Sequence, residues 1–245
     1  MKSDDIRHLE NLTAEVWPAG EYARHCGWIM GFDVGVTGRA NSVLPNEWTG
    51  ETALSDAIGE VERKYRAHDL SPSFKVSEAS LPQGLDDALA AAGYSVSKGT
   101  TVMQGALKPL ADKCPVRHEI VALGHPTPDW CAVTGWEGST ARIGIAERIA
   151  HPCAFFMATE GTEPIATAIG VVRGEWAYIS GLRVNPGLRG RGVGSSVVGF
   201  FASWAEENGA TRLFLQVEDD NPKARVLYDR LGLVHAYDYH YRTKP

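Results

Sequence analysis

One stretch decides the fold of this chain: Leu182-Arg183-Val184-Asn185-Pro186-Gly187-Leu188-Arg189-Gly190-Arg191-Gly192-Val193-Gly194-Ser195. An apolar strand is predicted to lead into it over Trp176–Val184, and an amphipathic helix to follow it over Val193–Asn208. Three closely spaced glycines therefore fall where the backbone turns from strand to helix. The first amide N–H groups of a helix have no intrahelical partner, and the helix dipole is positive there, so this junction predicts an anion site.

The glycine spacing tells which anion sites are excluded. Glycines at 190, 192 and 194 remove side chains that would keep a phosphate from the amides, and they permit positive φ. The phosphate loop of NTPases ends in Gly-Lys-Ser/Thr, which is absent here, and the dinucleotide fingerprint needs G-x-G-x-x-G, whereas this stretch has G-x-G-x-G. Since Arg189 and Arg191 add positive charge, a different pyrophosphate ligand is indicated.

Two motifs carry a family resemblance. The first resembles the acetyl-CoA pyrophosphate signature of the GCN5-related N-acetyltransferase (GNAT) superfamily, Gln/Arg-x-x-Gly-x-Gly/Ala, which Arg189, Gly192 and Gly194 fill. The second is Asn221-Pro222-Lys223-Ala224-Arg225-Val226-Leu227-Tyr228 followed by Arg230-Leu231-Gly232-Leu233. It is similar to the family's N-x-x-A-x-x-x-Y and Y-x-x-x-G-F segment, with Leu233 where Phe is usual. Together the motifs cover residues 153 to 242.

The resemblance implies where the coenzyme binds. In the family, strands four and five splay apart and the pantetheine arm lies between them, which assigns the arm to the backbone of Leu182, Arg183 and Val184. The resemblance assigns the diphosphate to the glycine loop and helix start, whose residues are Arg189, Gly190, Arg191, Gly192, Val193, Gly194 and Ser195. Asn221 caps the next helix by residue type, and the family also uses this asparagine at the pantetheine arm.

The resemblance gives the reaction a general acid but no general base. It implies that Tyr228 protonates the departing CoA thiolate, while a tyrosine that only fills the core is the alternative. An alkylammonium must lose a proton before it attacks, and a carboxylate, a histidine or ordered water can accept it. Glu218 and Asp219 are candidates by position, with water or solvated loop acids as the alternatives.

The last predicted strand, Leu233–Arg242, has one phenolic face. Its tyrosines at 237, 239 and 241 alternate with Asp238 and His240, so they belong either to the core or to an acceptor pocket.

Composition and charge exclude several classes of protein. With 44% apolar and 22% charged residues, the 245-residue chain is typical of a soluble globular protein. A net charge of −6 disfavours nucleic acid as a partner. No apolar run has the ~18 residues of a membrane helix and the first ten residues are polar, so we expect a cytoplasmic protein without a membrane partner. The cysteines at 26, 114, 131 and 153 lack Cys-x-x-Cys spacing, which favours reduced thiols and no metal.

The chain contains an internal repeat. Placing Gly93 on Gly232, an offset of 139 residues, lays a predicted helix over 54–68 on 193–207 and a helix over 82–92 on 221–231. Opposite Arg189–Gly194, the first half has Gly50-Glu51-Thr52-Ala53-Leu54-Ser55, with one glycine, no arginine and an acid. We therefore expect a degenerate GNAT-like domain over 1–110 that lacks the cofactor loop, a linker near Lys108–Pro115, and a catalytic GNAT domain over 111–245.

The other segments give weaker expectations. Residues 9–17 form a short helix or strand, and Gly27–Asp33 pairs with Arg39–Leu44 as a hairpin. Val116–His151 is expected to be helical and irregular, with Trp130 and Trp136 available as pocket walls.

The fold class predicted is α/β, with tandem GNAT-like domains that each have a mixed, mostly antiparallel sheet flanked by helices. The expected function is N-acetyl transfer from acetyl-CoA to a primary amine, by direct attack through a tetrahedral intermediate. A small-molecule or peptide amine fits as acceptor, and a homodimer is compatible with the sequence. The alternatives are an acyl-CoA sensor that catalyses nothing, and an interaction module whose first half is the active surface.

Overall fold

The structure is a computed structural model. It describes residues 1–150 and 152–245, apart from the side chain of Lys98. The helices are α1 (Ser3–Val16), α2 (Leu54–Ala67), α3 (Leu85–Ala91), α4 (Lys108–Lys113), α5 (Pro128–Thr134), α6 (Thr140–Glu147), α7 (Val193–Glu207) and α8 (Pro222–Leu231). The strands are β1 (Glu21–His25), β2 (Trp28–Phe32), β3 (Val43–Leu44), β4 (Ser73–Ser77), β5 (Ser95–Ala106), β6 (Glu119–Leu123), β7 (Cys153–Glu160), β8 (Glu163–Arg173), β9 (Trp176–Val184), β10 (Arg212–Glu218) and β11 (Val234–Thr243).

The chain divides into two compact units. The first comprises Met1–Thr101 with Tyr237–Pro245, and the second comprises Val102–Ala236, so the unit boundaries lie within β5 and β11. Residues 108–113 form α4, with Pro109 in its first turn and Leu110 buried, rather than the expected linker. The assignment of a degenerate role to 1–110 and a catalytic role to 111–245 stays a prediction.

The first unit has a sheet in the order β1-β2-β3-β4-β11-β5. β3 and β4 are parallel, whereas β1 and β2, β2 and β3, and β4 and β11 pair antiparallel. Neighbouring residues of a strand face opposite sides. Phe74 of β4 therefore packs in one core cluster with Tyr65 of α2, while the adjacent Lys75 reaches Glu10 of α1. The two helices thus cover opposite faces of this sheet.

The second unit has the order β10-β9-β8-β7-β6, with the end of β5 beside β10. β6 to β9 pair antiparallel, and β9 and β10 are parallel. Phe155 and Phe156 are consecutive on β7; Phe155 contacts Trp130 of α5, and Phe156 contacts Phe201 of α7. Helices α5 and α7 therefore cover opposite faces, and the sheet holds the main core between them.

The repeat in the sequence is a repeat of structure. The order helix, strand, helix, strand occurs as α2-β4-α3-β5 and again as α7-β10-α8-β11. Gly93 and Gly232, the two glycines that set the offset, have φ of 88° and 91° after α3 and α8. A left-handed residue ends a helix at low cost when it is glycine, so the same stop signal closes both helices.

Several expectations need correction. The residues expected as a short helix or strand over 9–17 belong to α1, a longer helix. Two strands, β1 and β6, lie where the sequence predicts none, and β6 falls in the region expected to be helical and irregular. Trp130 is fully buried and its indole N–H donates to the Phe156 carbonyl at 2.9 Å, so it belongs to the core rather than to a pocket wall. His151, the end of that region, lies outside the described residues.

The phenolic face of β11 lies inside the first unit. Tyr237, Tyr239 and Tyr241 are each buried; Tyr237 donates to Glu10 at 2.6 Å, and Lys75 lies 4.0 Å from the Tyr239 ring centre. Of the two alternatives for these tyrosines, the structure selects the core.

Candidate active site

The glycine loop turns the chain from β9 into α7. After Val184 come a short 3₁₀ turn over Pro186–Leu188 and an extended Arg189. Gly190 and Gly192 then have φ of 79° and 84°. A side chain disfavours such angles by about 1–2 kcal/mol, so glycine is the residue that makes this turn without strain. A Cβ built at either position meets nothing within 4 Å, so the space in front of the loop backbone is open.

The first backbone N–H groups of α7 have no acceptor within the helix. The first intrahelical bond is donated by the Ser196 N–H to the Gly192 carbonyl at 3.0 Å. The N–H groups of Val193, Gly194 and Ser195 precede it, and Gly192, the N-cap, has no side chain to cover them. Arg189 and Arg191 are exposed beside the loop, and the Arg189 Nε donates to the Val184 carbonyl at 3.1 Å. The loop therefore presents donors and positive charge on one side.

Strands β9 and β10 splay apart toward this loop. Their pairing ends at Tyr178 and Phe214, and β9 then runs on to Val184 and β10 to Glu218 without a recorded pair between them. Gly181, at φ 61°, lies where the register between β8 and β9 shifts. The splay leaves one edge of Leu182, Arg183 and Val184 unpaired with β10, which is the place predicted for a pantetheine arm.

Gly194 faces the side chains of the splayed part of β9 and of α8. A Cβ there would lie 3.7 Å from Val184, 3.8 Å from Leu182 and 3.8 Å from Leu227 of α8. These are ordinary contact distances, so the missing side chain at Gly194 leaves a narrow gap between β9, α7 and α8.

Helix α8 places Asn221 and Tyr228. The Asn221 side chain accepts from the Ala224 N–H at 3.2 Å, which confirms the predicted cap, and Pro222 occupies the first turn. Tyr228 is only 7% exposed and belongs to the same core cluster as Val193 and Val197 of α7. Burial raises the pKa of Tyr228, and Tyr178 adds to the rise. The phenol is therefore neutral at physiological pH and keeps a proton to donate.

The sequence analysis missed a polar group on the other face of β9 and β10. The Tyr178 hydroxyl donates to Gln216 Oε1 at 3.3 Å. Gln216 Nε2 and the Ser180 hydroxyl are buried and have no hydrogen-bond partner among the described residues. The available signal was polar residues within two apolar strands, at Ser180 in β9 and Gln216 in β10. Their placement on one face depends on the register between β9 and β10, which cannot be read from the sequence.

The candidate bases lie just beyond this group. Glu218 ends β10 and its carbonyl accepts from the Asn221 N–H at 2.9 Å. Glu218 and Asp219 are exposed. The structure places both carboxylates at the end of the splayed strand, in contact with solvent.

The corresponding loop of the first unit has different chemistry. α2 begins after Ala53, which offers no capping side chain, and Gly50 is the glycine at positive φ before it, with φ 69°. Glu47 and Glu51 are exposed in this loop, and they would repel a diphosphate. A cavity of about 730 Å³ lies beside it, lined by residues that include Glu15, Arg24 and Glu47.

Cys26, Cys114, Cys131 and Cys153 are free and buried, and burial raises the pKa of each thiol. Within residues 1–150 and 152–245, no group of three His, Cys, Asp or Glu side chains could hold a metal ion. Among the described helices, none is both long and apolar enough to cross a bilayer.

The second unit thus contains splayed parallel strands, a helix start with unbonded amides and a buried tyrosine. Comparison with known proteins gives the family. A family model described as "Probable histone acetyltransferase Rv0428c C-terminal" matches residues 3–242. The chain is 32% identical over 252 residues to the uncharacterized N-acetyltransferase YobR of Bacillus subtilis (strain 168), covering 98% of this chain and 99% of that relative. The chain belongs to this acetyltransferase family of the GNAT superfamily, and it is an acyltransferase enzyme.

Solved structures confirm the tandem fold. A GCN5-related N-acetyltransferase from Kribbella flavida aligns with a TM-score of 0.75 at 15% identity, covering 98% of this chain and 95% of that one. A tandem GNAT protein from the clavulanic acid biosynthesis pathway aligns with a TM-score of 0.65 at 17% identity, covering 96% and 87%. A conserved protein of unknown function from Staphylococcus epidermidis aligns with a TM-score of 0.73 at 12% identity, covering 100% and 97%. At these identities the likeness concerns the fold alone.

Proposed function

We propose that this enzyme transfers the acetyl group of acetyl-CoA to a primary amine by direct attack. The observation that supports this most is the uncovered start of α7, where Gly190 and Gly192 leave open space before a row of unbonded amides. Such amides bind phosphate oxygens through hydrogen bonds and the helix dipole. The pantetheine would then enter the gap between β9 and β10, along Leu182, Arg183 and Val184.

Tyr228 is the proposed proton donor in the chemical step. The amine nitrogen forms a bond to the thioester carbon, and the resulting oxyanion is stabilised by backbone amides. When the carbon–sulfur bond breaks, the sulfur receives a proton from Tyr228, and the proton that the nitrogen loses as the amide forms returns through water to the Tyr228 oxygen. Tyr228 is buried in the core cluster that contains Val193 and Val197 of α7, and its phenol is protonated at neutral pH, so it is available to donate a proton to the sulfur. The product amide and free CoA then leave.

The amine must first lose a proton. Glu218 and Asp219 lie where β10 ends, and the acidic run continues into Asp220. These exposed carboxylates could accept a proton through water, and they would also attract a cationic amine. We propose water in contact with this acidic end as the first proton acceptor, since no carboxylate among the described residues is buried beside Ser180 or Gln216.

The acceptor is proposed only as a class. The matching family model carries the description histone acetyltransferase, and the relative from Bacillus subtilis is described as an N-acetyltransferase. Both descriptions fit an amine acceptor, either a peptide or a small molecule. The net charge of −6 suits a cationic acceptor and a role without nucleic acid. We further propose a cytoplasmic enzyme whose first half is a degenerate, non-catalytic GNAT-like domain.

Thiol release tests this proposal against a sensor. Purified protein is mixed with acetyl-CoA and a panel of primary amines, and free CoA is titrated with a thiol reagent. We expect release that depends on both the enzyme and one class of amine, with mass spectrometry showing one added acetyl group. Binding of acetyl-CoA without release for any amine would favour the acyl-CoA sensor instead.

A truncation is not a clean test of the interaction-module alternative. Since Tyr237–Pro245 belong to the first unit and residues 102–110 to the second, removing 1–110 would disrupt both units. Point variants in the exposed loop at Glu47 and Glu51 are therefore the better probes of a first-half surface. Unchanged thiol release in these variants would agree with a catalytic site that lies in the second unit.

A further inference from the structure

Ser180 and Gln216 each follow the last paired residues of β9 and β10, on the face of the sheet away from α7. The last pair between the strands is Tyr178 with Phe214, and each of the two polar residues lies two positions further along its strand. Ile179, the neighbour of Ser180, packs in the core cluster with α7, so Ser180 faces the opposite side. Gln216 is on that side as well, because it accepts the Tyr178 hydroxyl.

Two polar atoms there lack partners. Gln216 Nε2 and Ser180 Oγ are buried without a hydrogen bond to any described residue, although each residue as a whole is half-buried. A buried donor without a partner is destabilising, and native proteins keep few such groups. A small side-chain rotation would bring both atoms to a molecule in the splay. Their chemistry is that of neutral donors, which suit an uncharged oxygen.

The position of Ser180 and Gln216 indicates which substrate they would contact. In the proposed function, the coenzyme's diphosphate lies at the start of α7, on the opposite face, and the arm passes between the strands. Groups on the far face, at the point where the strands diverge, would then lie on the side from which the second substrate approaches. Tyr178, Ser180 and Gln216 are all neutral, so these three groups suit a hydroxyl or carbonyl oxygen of the acceptor.

We propose that Ser180 and Gln216 bind an oxygen atom of the acceptor, and that the enzyme therefore selects primary amines with a hydroxyl or carbonyl oxygen a few bonds from the nitrogen. Amino alcohols and amino acid amides are such compounds. This inference rests on the proposed acetyl transfer, and Ser180 and Gln216 act in it as specificity-determining residues. Tyr178 positions Gln216 by donating to its carbonyl oxygen.

Matched amines test the proposal with the full-length protein and acetyl-CoA. Aminopropanol is compared with butylamine, and glycinamide with isobutylamine, because the members of each pair have nearly the same shape; kcat/KM is expressed per unprotonated amine, since the amide group lowers the pKa of the glycinamide nitrogen. The readout is the ratio of kcat/KM within each pair, measured by thiol release. We expect the oxygen-bearing member to be preferred about tenfold or more, since a site with unpaired buried donors rejects an analogue that cannot pair them.

Two variants and two controls assign the preference. Ser180→Ala and Gln216→Met remove the donors, and each should lower the ratio several-fold by reducing kcat/KM for the oxygen-bearing amines more than for the apolar amines. Ser203→Ala and Gln83→Met are the matched exposed changes and should leave the ratio unchanged. Calorimetric binding of CoA and the midpoint of urea unfolding check that each variant is folded. If Gln216→Met does not fold, Ser180→Ala alone decides.

The outcomes separate the inference from the proposed function. Thiol release with equal kcat/KM for both members of each pair overturns the inference and leaves acetyl transfer standing. An equal loss for oxygen-bearing and apolar amines in the variants also overturns it, because it would mean a role in folding or in chemistry. No release from the wild type with any amine overturns the proposed function, and the inference with it.

Discussion

Replacing Gly192 by alanine separates the conformational role of the glycine loop from its ligand-binding role. Gly192 has φ of 84° and is the N-cap of α7, and an added Cβ would meet nothing within 4 Å in the protein. The protein itself would therefore resist the change only through backbone strain, about 1–2 kcal/mol for a non-glycine residue at positive φ. In the complex, the new methyl group would lie in the open space before the amides.

The cost to binding should exceed this strain. A hydrogen bond to a charged group contributes about 1.5–3 kcal/mol, and displacing the diphosphate would weaken at least one of them. We expect Gly192→Ala to raise the Kd for CoA by about tenfold to a hundredfold, and Gly192→Val to raise it further. A short pantetheine thioester without the diphosphate should react with both variants as it does with the wild type. Isothermal titration gives the Kd, and urea unfolding gives the stability.

Gly174 provides the matched control. It lies in the turn between β8 and β9 at φ 55°, and its added Cβ also meets nothing within 4 Å. Gly174→Ala should therefore lose a similar free energy of unfolding, about 1–2 kcal/mol, with an unchanged Kd. The diphosphate assignment is refuted if Gly192→Ala binds CoA like the wild type, or if Gly174→Ala weakens binding equally.

Three further predictions test the tyrosine, the buried ion pair and the last strand. Tyr228→Phe should lower kcat by about a hundredfold, because the general acid is lost, while calorimetry shows an unchanged Kd for CoA. An unchanged kcat would leave Tyr228 a core residue. Lys75→Met should lower the free energy of unfolding by about 3–5 kcal/mol, because Glu10, 2% exposed and 2.7 Å from the Lys75 amine, would stay buried without its cation. Adding Glu10→Leu should recover part of this loss, and no recovery would contradict the ion-pair account. Arg242 and His240 lower the pKa of Asp86 to about 2, from 3.8. That carboxylate therefore contributes stability that is present above pH 3.8 and lost as the pH falls through about 2. With its side chain 39% exposed, the contribution should be about 1 kcal/mol after solvent screening. Asp86→Asn should remove this pH dependence of urea unfolding, and the same slope in the variant would assign it to other groups.

Rules that depend on short sequence segments predict the glycine loop and the ends of α7 and α8 well. The helix start at Val193, the cap at Asn221 and the helix stop at Gly232 each depend on a few neighbouring residues, and each lies where the sequence places it. Strand β9 and helix α8 have the predicted bounds. Capping, positive φ and apolar periodicity are properties of short segments, so they can be read without knowing the rest of the fold.

Contacts between distant segments could not be predicted. Glu10 and Lys75 look like ordinary surface residues in the sequence, and only the packing of α1 on β4 buries them as a pair. Strand β1 has exposed charged residues and lacks the apolar pattern of a strand, so its pairing with β2 left no local signal. The same limit applies to Tyr237, because its partner Glu10 is far away in the chain.

The acceptor side of the site is non-local for a physical reason. β9 and β10 are parallel, so a whole helix, α7, must connect them, and residues opposite each other are far apart in sequence. A shift of one residue in that register would turn Gln216 to the α7 face and separate it from Tyr178 and Ser180. The observed register instead places three neutral polar groups where the strands diverge. In the proposed function, coenzyme recognition therefore follows from a contiguous motif, whereas acceptor choice depends on how two strands are aligned.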